Sequence, residues 1–115
     1  MSLNYFKEKW ERRIEMLRNA RRYLRIMREA CIREISPECR IFLFGSVARG
    51  DYRFDSDIDV LVVVPGLKDE WDRSRVSTLL HKVVNAQEPF EIHVVSPEEF
   101  REWYLKIIDV YEEIK

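Results

Sequence analysis

Phe44-Gly45-Ser46-Val47-Ala48-Arg49-Gly50, followed five residues later by Ser56-Asp57-Ile58-Asp59-Val60, is the stretch that decides the fold. Ile41-Phe42-Leu43-Phe44 is an apolar run bounded by Arg40 and Gly45, and it reads as a buried strand. Gly45-Ser46 then opens a short helical turn that Gly50 closes, and residues 51–56 form a polar loop. Asp57 to Val64 is a second strand, stopped by Pro65-Gly66. Its Leu61-Val62-Val63-Val64 end is apolar on both faces, as a central strand is.

Downstream, Asp69 to about Gln87 carries Val76, Leu79, Leu80, Val83 and Val84 at helical spacing, and Phe90 to Val95 reads as a third strand. Ser96-Pro97-Glu98-Glu99 is a capping signature, with Ser at the N-cap, Pro at N1 and Glu at N3. It predicts a last helix with Phe100, Trp103, Tyr104, Ile107, Ile108, Tyr111 and Ile114 on one face. That stripe reads as core, or as a homodimer or heteromer face. Upstream, residues 3–35 read as one long helix ended by Ser36-Pro37. Arg18, Arg21, Arg22, Arg25 and Arg28 make a stripe beside its apolar face. A solvated face, an acidic partner and RNA are three readings of that stripe, and the lack of interleaved exposed aromatics weighs against nucleic acid. The expected organisation is a single domain over 1–115. It comprises an N-terminal helical extension (1–36), a core that holds the quoted stretch (40–96) and a C-terminal helix (97–115).

The chemistry sits in the quoted stretch. Asp57 and Asp59, two apart on a strand, send their carboxylates from the same face. Like charges that close repel, and a divalent cation between them relieves it. Glu91, in the apolar setting Phe90-Glu91-Ile92, can come alongside as a third oxygen ligand. An oxygen-only set suits Mg²⁺ or Mn²⁺, and two such ions about 3.5–4 Å apart can bracket a phosphoryl transfer. Gly45 lets backbone N–H groups approach an anion, the Ser46 hydroxyl can donate to a phosphate, and Arg49 reads equally as a phosphate contact or a surface arginine. His93, on the same strand face as Glu91, reads as a partly buried histidine or as a neighbour of the metal. Asp51 and Asp55 read as turn formers, Arg53 as a loop residue, and Ser56 as a brace for the loop that presents Asp57.

Gly45-Ser46, ten intervening residues, then Asp57-x-Asp59, with a later carboxylate on a strand, resembles the signature of the nucleotidyltransferase superfamily related to DNA polymerase β. The similarity is to its minimal nucleotidyltransferases, which are often paired with HEPN-domain partners, and it covers about Arg40 to Ser96. It implies an α+β fold, a small mixed sheet of three core strands packed with helices, here with a long N-terminal helix added. It implies that Gly45 and Ser46 bind the triphosphate of ATP, and that Asp57, Asp59 and Glu91 hold the metal ions. It also implies AMP transfer to a hydroxyl, in toxin–antitoxin members a tyrosine of the HEPN toxin. Larger relatives carry an extra helical domain that shapes the acceptor pocket, for which this chain has no room. A partner, a second copy or the N-terminal helix would have to complete it. The alternative function is a non-catalytic antitoxin that neutralises its partner by contact.

Composition agrees with a folded domain. Of 115 residues, 46% are hydrophobic and 36% charged, with 3 Gly and 4 Pro, which excludes collagen-like and largely disordered chains. No apolar run reaches the ~18 residues that cross a bilayer, and the start of the chain lacks a signal peptide's apolar stretch, so a cytoplasmic protein is expected. Cys31 and Cys39 are too few for a disulfide scaffold and read as reduced, half-buried small hydrophobes. The net charge of −1 divides into +5 over residues 1–40 and −6 over the rest, a basic front and an acidic body.

Overall fold

A computed structural model describes residues 3–115. The elements in chain order are α1 (Leu3–Arg18), α2 (Ala20–Glu34), β1 (Arg40–Phe44), α3 (Gly45–Arg49), β2 (Ile58–Val63), α4 (Glu70–Val83) and β3 (Phe90–Val95). Then come α5 (Pro97–Glu99), a π-helical turn (Phe100–Tyr104), α6 (Leu105–Ile107) and β4 (Tyr111–Ile114). The strands form one sheet in the order β3-β2-β1-β4, with β2 and β3 parallel and the other two pairings antiparallel. The fold is α+β with a mixed sheet, as expected, but it has four strands where three were expected.

The fourth strand corrects the reading of 97–115 as one helix. Helical structure ends at Ile107, and Tyr111–Ile114 pairs along the free edge of β1, Tyr111 opposite Phe44 and Ile114 opposite Ile41. Ion pairs fasten it. Arg40 makes a forked contact to Glu113 at 3.0 and 2.8 Å, and Arg21 reaches both oxygens of Glu112 at 3.0 Å. Part of the basic front thus finds its acidic partner within the chain.

The N-terminal helix is likewise two helices. At Asn19 the side-chain amide donates to the Glu15 carbonyl at 2.9 Å, the same acceptor that the Asn19 backbone N–H uses. Asparagine's competition for helix carbonyls explains the break between α1 and α2 there. Cys31 and Cys39 are fully buried and joined as a disulfide between the end of α2 and the approach to β1, which corrects the expectation of two reduced, half-buried thiols.

Strand alternation gives the sheet two unlike faces. On one, Ile41, Leu43, Ile58, Val60, Val62 and Val94 are roofed by Leu24 and Met27 of α2 and Val76 and Leu80 of α4, which forms the main core. On the other, Phe42, Leu61, Val63 and Val95 are covered by Phe100, whose ring stacks on Phe42 at 4.7 Å. Tyr104 and Ile108 extend that cover, which comes mainly from the 97–108 segment. The other end of this face, where β2 and β3 begin, carries the polar residues.

The Ser96 capping box forms as read from the sequence. Glu99 N–H donates to Ser96 Oγ at 3.1 Å, and Ser96 N–H donates to Glu99 Oε1 at 2.9 Å. Arg73 of α4 ties the box to the sheet, donating to the Val94 carbonyl at 2.7 Å and to Glu99 at 2.8 Å. These bonds, the Ser96 backbone first, hold the Glu99 carboxyl below the usual range. A depressed acid adds stability above its ordinary pKa and loses it as pH falls through the lowered one. Arg73→Ala should therefore cost about 2 kcal/mol at neutral pH and lose part of that penalty in acid, which chemical denaturation at pH 7 and pH 3 checks.

Candidate active site

β1 delivers the chain to Gly45 with φ of +75°, a left-handed conformation that favours glycine. A Cβ on Gly45 would lie 2.1 Å from Asp59 Oδ2 and 3.0 Å from Asp59 Cγ. The glycine is thus the floor on which the Asp59 carboxylate rests. Ser46 follows in the first turn of α3, which Gly50 closes with φ of +86°, its N–H returning to the Ser46 carbonyl at 2.9 Å.

Asp59 stands opposite Glu91 in the parallel β2–β3 pairing and opposite Phe44 in the antiparallel β1–β2 pairing. Ile58 N–H donates to the Pro89 carbonyl at 2.7 Å, which fixes that register where the two strands start. Burial, then repulsion from Glu91 and Asp57, pushes the Asp59 carboxyl up to about 6, and a hydrogen bond with Glu91 adds to the rise. His93, two residues along β3, brings Nε2 to 3.3 Å from Glu91 Oε1, and its ring lies 5.9 Å from Phe44 and 6.4 Å from Tyr104. The carboxylates therefore sit beside an aromatic wall.

Asp57 ends the loop just before β2, and its Oδ1 pairs with Arg13 of α1 at 3.2 Å. Among the described residues, no three His, Cys, Asp or Glu side chains are gathered closely enough to hold a metal ion. Ser56 braces the loop: its hydroxyl accepts from Arg53 N–H at 2.8 Å, and its own N–H donates to the Arg53 carbonyl at 3.0 Å. Arg49 is engaged with Asp51 at 3.3 Å and Asp109 at 3.7 Å. Arg53 pairs with Asp55 at 3.6 Å, both on the surface.

Of the residues that the sequence singles out, the fold sets Asp59 against Gly45 and opposite Glu91, with Ser46 next to that glycine, whereas Asp57 lies in the loop before β2, which starts at Ile58 and not at Asp57, and is held by Arg13. Arg13 was not among them, nor were the rings of Phe44 and Tyr104 that flank His93, the residue read as lying on the same strand face as Glu91. A signal for Arg13 was present, because at three residues after Trp10 and four before Leu17 it shares the helix face that is otherwise apolar.

A family model for the nucleotidyltransferase domain matches residues 24–115. The chain belongs to the nucleotidyltransferase domain family. A solved structure of a candidate nucleotidyltransferase from Sulfolobus solfataricus superposes with a TM-score of 0.57 at 24% identity, covering 90% of this chain and 82% of that one. A toxin–antitoxin structure with AMP-PNP superposes with a TM-score of 0.51 at 18% identity, covering 77% of this chain and 70% of that one. Both likenesses are of fold. A Methanocaldococcus jannaschii protein named as a candidate protein adenylyltransferase is 56% identical over 34 residues, 27% of this chain and 34% of that protein. The nucleotidyltransferase's matched stretch thus spans about a third of that curated relative. Among the described residues, no helix is long and apolar enough to cross a membrane.

Proposed function

We propose that this nucleotidyltransferase moves AMP from ATP to a hydroxyl of a partner protein, a tyrosine of a HEPN-type toxin being the acceptor class that fits best. The observation that carries the reading is Asp59, partly withdrawn from water, seated against Gly45 and facing the exposed Glu91 across the parallel β2–β3 pairing. A Cβ-free floor under the facing carboxylates of Asp59 and Glu91 fits an oxygen-liganded divalent ion; these two, joined by Asp57 once its carboxylate turns from Arg13, are the residues that would hold Mg²⁺ or Mn²⁺. When bound, the ion supplies neutralisation of the charge that grows on the triphosphate oxygens.

The chain's own residues do the rest. The Gly45-Ser46 turn offers a hydroxyl and backbone donors to the triphosphate. Glu91, oriented by His93, takes the proton of the acceptor hydroxyl as its oxygen attacks the α-phosphorus in line. The new bond joins acceptor oxygen to α-phosphorus, the α–β bridge breaks, and pyrophosphate leaves. Arg49 would have to leave two exposed ion pairs to reach a phosphate, a rearrangement that costs little, about 1 kcal/mol or less.

The relative named as a protein adenylyltransferase and the toxin–antitoxin neighbour support a protein acceptor. The test uses ATP labelled at the α- or the γ-phosphate, with Mg²⁺ and a HEPN-type chain. Label from the α position should appear on the partner, label from the γ position should not, and Asp57→Asn or Asp59→Asn should lower transfer by at least about 1,000-fold. Neutralisation of the toxin by Asp59→Asn as effective as by wild type would favour the contact-only antitoxin instead.

A further inference from the structure

Arg13 is about two-thirds of the way along α1, in a part of the chain that precedes the family match at residue 24. Its side chain is only 14% exposed, and its guanidinium serves four acceptors in succession along the loop. Nε donates to the Phe54 carbonyl at 3.1 Å. Nη2 lies 3.1 Å from the Asp55 carbonyl, 2.6 Å from the Ser56 carbonyl and 3.2 Å from Asp57 Oδ1. Trp10, one turn earlier, meets Phe54 edge-on at 5.4 Å, and the Arg13 guanidinium lies 5.9 Å from the Trp10 ring.

Three consecutive carbonyls meet one edge of the guanidinium, that of Phe54 at Nε and those of Asp55 and Ser56 at Nη2, so the donors must be spread over two nitrogens. An arginine fork fits that arrangement, and a lysine ammonium, a single point of charge, does not. Nη2 has two hydrogens for three acceptors, so one is shared, and the contact to Asp57 is the longest of the three. The carboxylate can therefore turn toward another cation while the carbonyls stay clamped.

We propose that Arg13 is the positioning residue for Asp57, holding the 54–57 loop from the N-terminal helix so that the carboxylate is presented where β2 begins. The metal role of Asp57 comes from the function proposed above, whereas the clamp on the loop is independent of it. The extension before the family match thus has a task at the site.

The test compares wild type, Arg13→Ala and Arg13→Lys by amide exchange and by Mn²⁺ titration. Three amides report the loop directly, those of Arg53, Ser56 and Ile58, which donate to Ser56 Oγ, the Arg53 carbonyl and the Pro89 carbonyl. Exchange at Arg53 and Ser56 should rise at least about tenfold in both variants, with β1 and β3 amides unchanged, and the Mn²⁺ midpoint should rise by about tenfold. Restoration by lysine would reduce the role to charge and overturn the proposal, as would unchanged exchange in Arg13→Ala. Should Arg13→Ala fail to fold, Arg13→Lys carries the same readings. A wild type that binds no Mn²⁺ would count against the metal reading alone, with exchange still deciding the clamp.

Discussion

Asp59→Asn should melt higher than the wild type at pH 7.5 while transferring no nucleotide. The wild-type carboxyl, ordinarily near 3.8, is pushed up to about 6 by burial and by the neighbouring Glu91 and Asp57. Between those values the folded chain holds a proton that the unfolded chain has released, so stability falls as pH rises from about 4 to about 6. Above that window the full cost of the ionised group is present. Two pKa units correspond to nearly 3 kcal/mol, and partial exposure to solvent reduces this to about 1–2 kcal/mol. Asparagine keeps the shape and removes the charge, so the gain in melting temperature should be about 5 °C at pH 7.5. It should vanish near pH 4, where both proteins are neutral at this position. Mg²⁺ should raise the melting temperature of the wild type and leave that of the variant unmoved, because only a state that binds the ion is stabilised by it. A variant less stable than wild type at neutral pH would mean that Asp59 is a structural partner and not a strained ligand.

Gly45→Ala should be the most damaging single-methyl change in the chain. The added carbon would sit 2.1 Å from Asp59 Oδ2, 3.0 Å from Cγ and 3.3 Å from Cβ, so a turn of the carboxylate alone does not clear it. The φ of +75° adds the left-handed penalty of about 1 kcal/mol for a residue with a side chain. A total loss of about 2–4 kcal/mol, with transfer down at least about 100-fold, follows from displacing both the strand junction and the carboxylate. The two causes separate in a double-mutant cycle. Removing the Asp59 side chain as well, with Asp59→Gly, should restore the part due to the clash and leave the backbone part. Strict additivity of the two substitutions, measured by denaturant titration, would show that the glycine serves the turn and not the site.

What could be read in the sequence was whatever local spacing or strand alternation determines. Asp59 and Glu91 share a face because side chains alternate along β2 and β3, and the parallel register then sets them side by side. The Ser96 box is a four-residue pattern with its partners inside it. The unread parts depend on contacts far apart in the chain. Tyr111 and Ile114 fit the helical stripe begun by Phe100, and only the unpaired edge of β1 and the Arg21 and Arg40 pairs with Glu112 and Glu113 draw them into a strand. The Cys31–Cys39 bond depends on how α2 meets β1, which eight residues of spacing do not determine. Arg13 belongs to the same class, since its four acceptors lie 41 to 44 residues away.

The central claim is a nucleotide site that the carboxylates build only with a divalent ion. Calorimetric titration with ATP, with Mg²⁺ and with EDTA, for wild type and Asp57→Asn, tests it most directly. Binding that requires Mg²⁺ and disappears in the variant is the expected result, whereas ATP bound equally well in EDTA or by Asp57→Asn would contradict it.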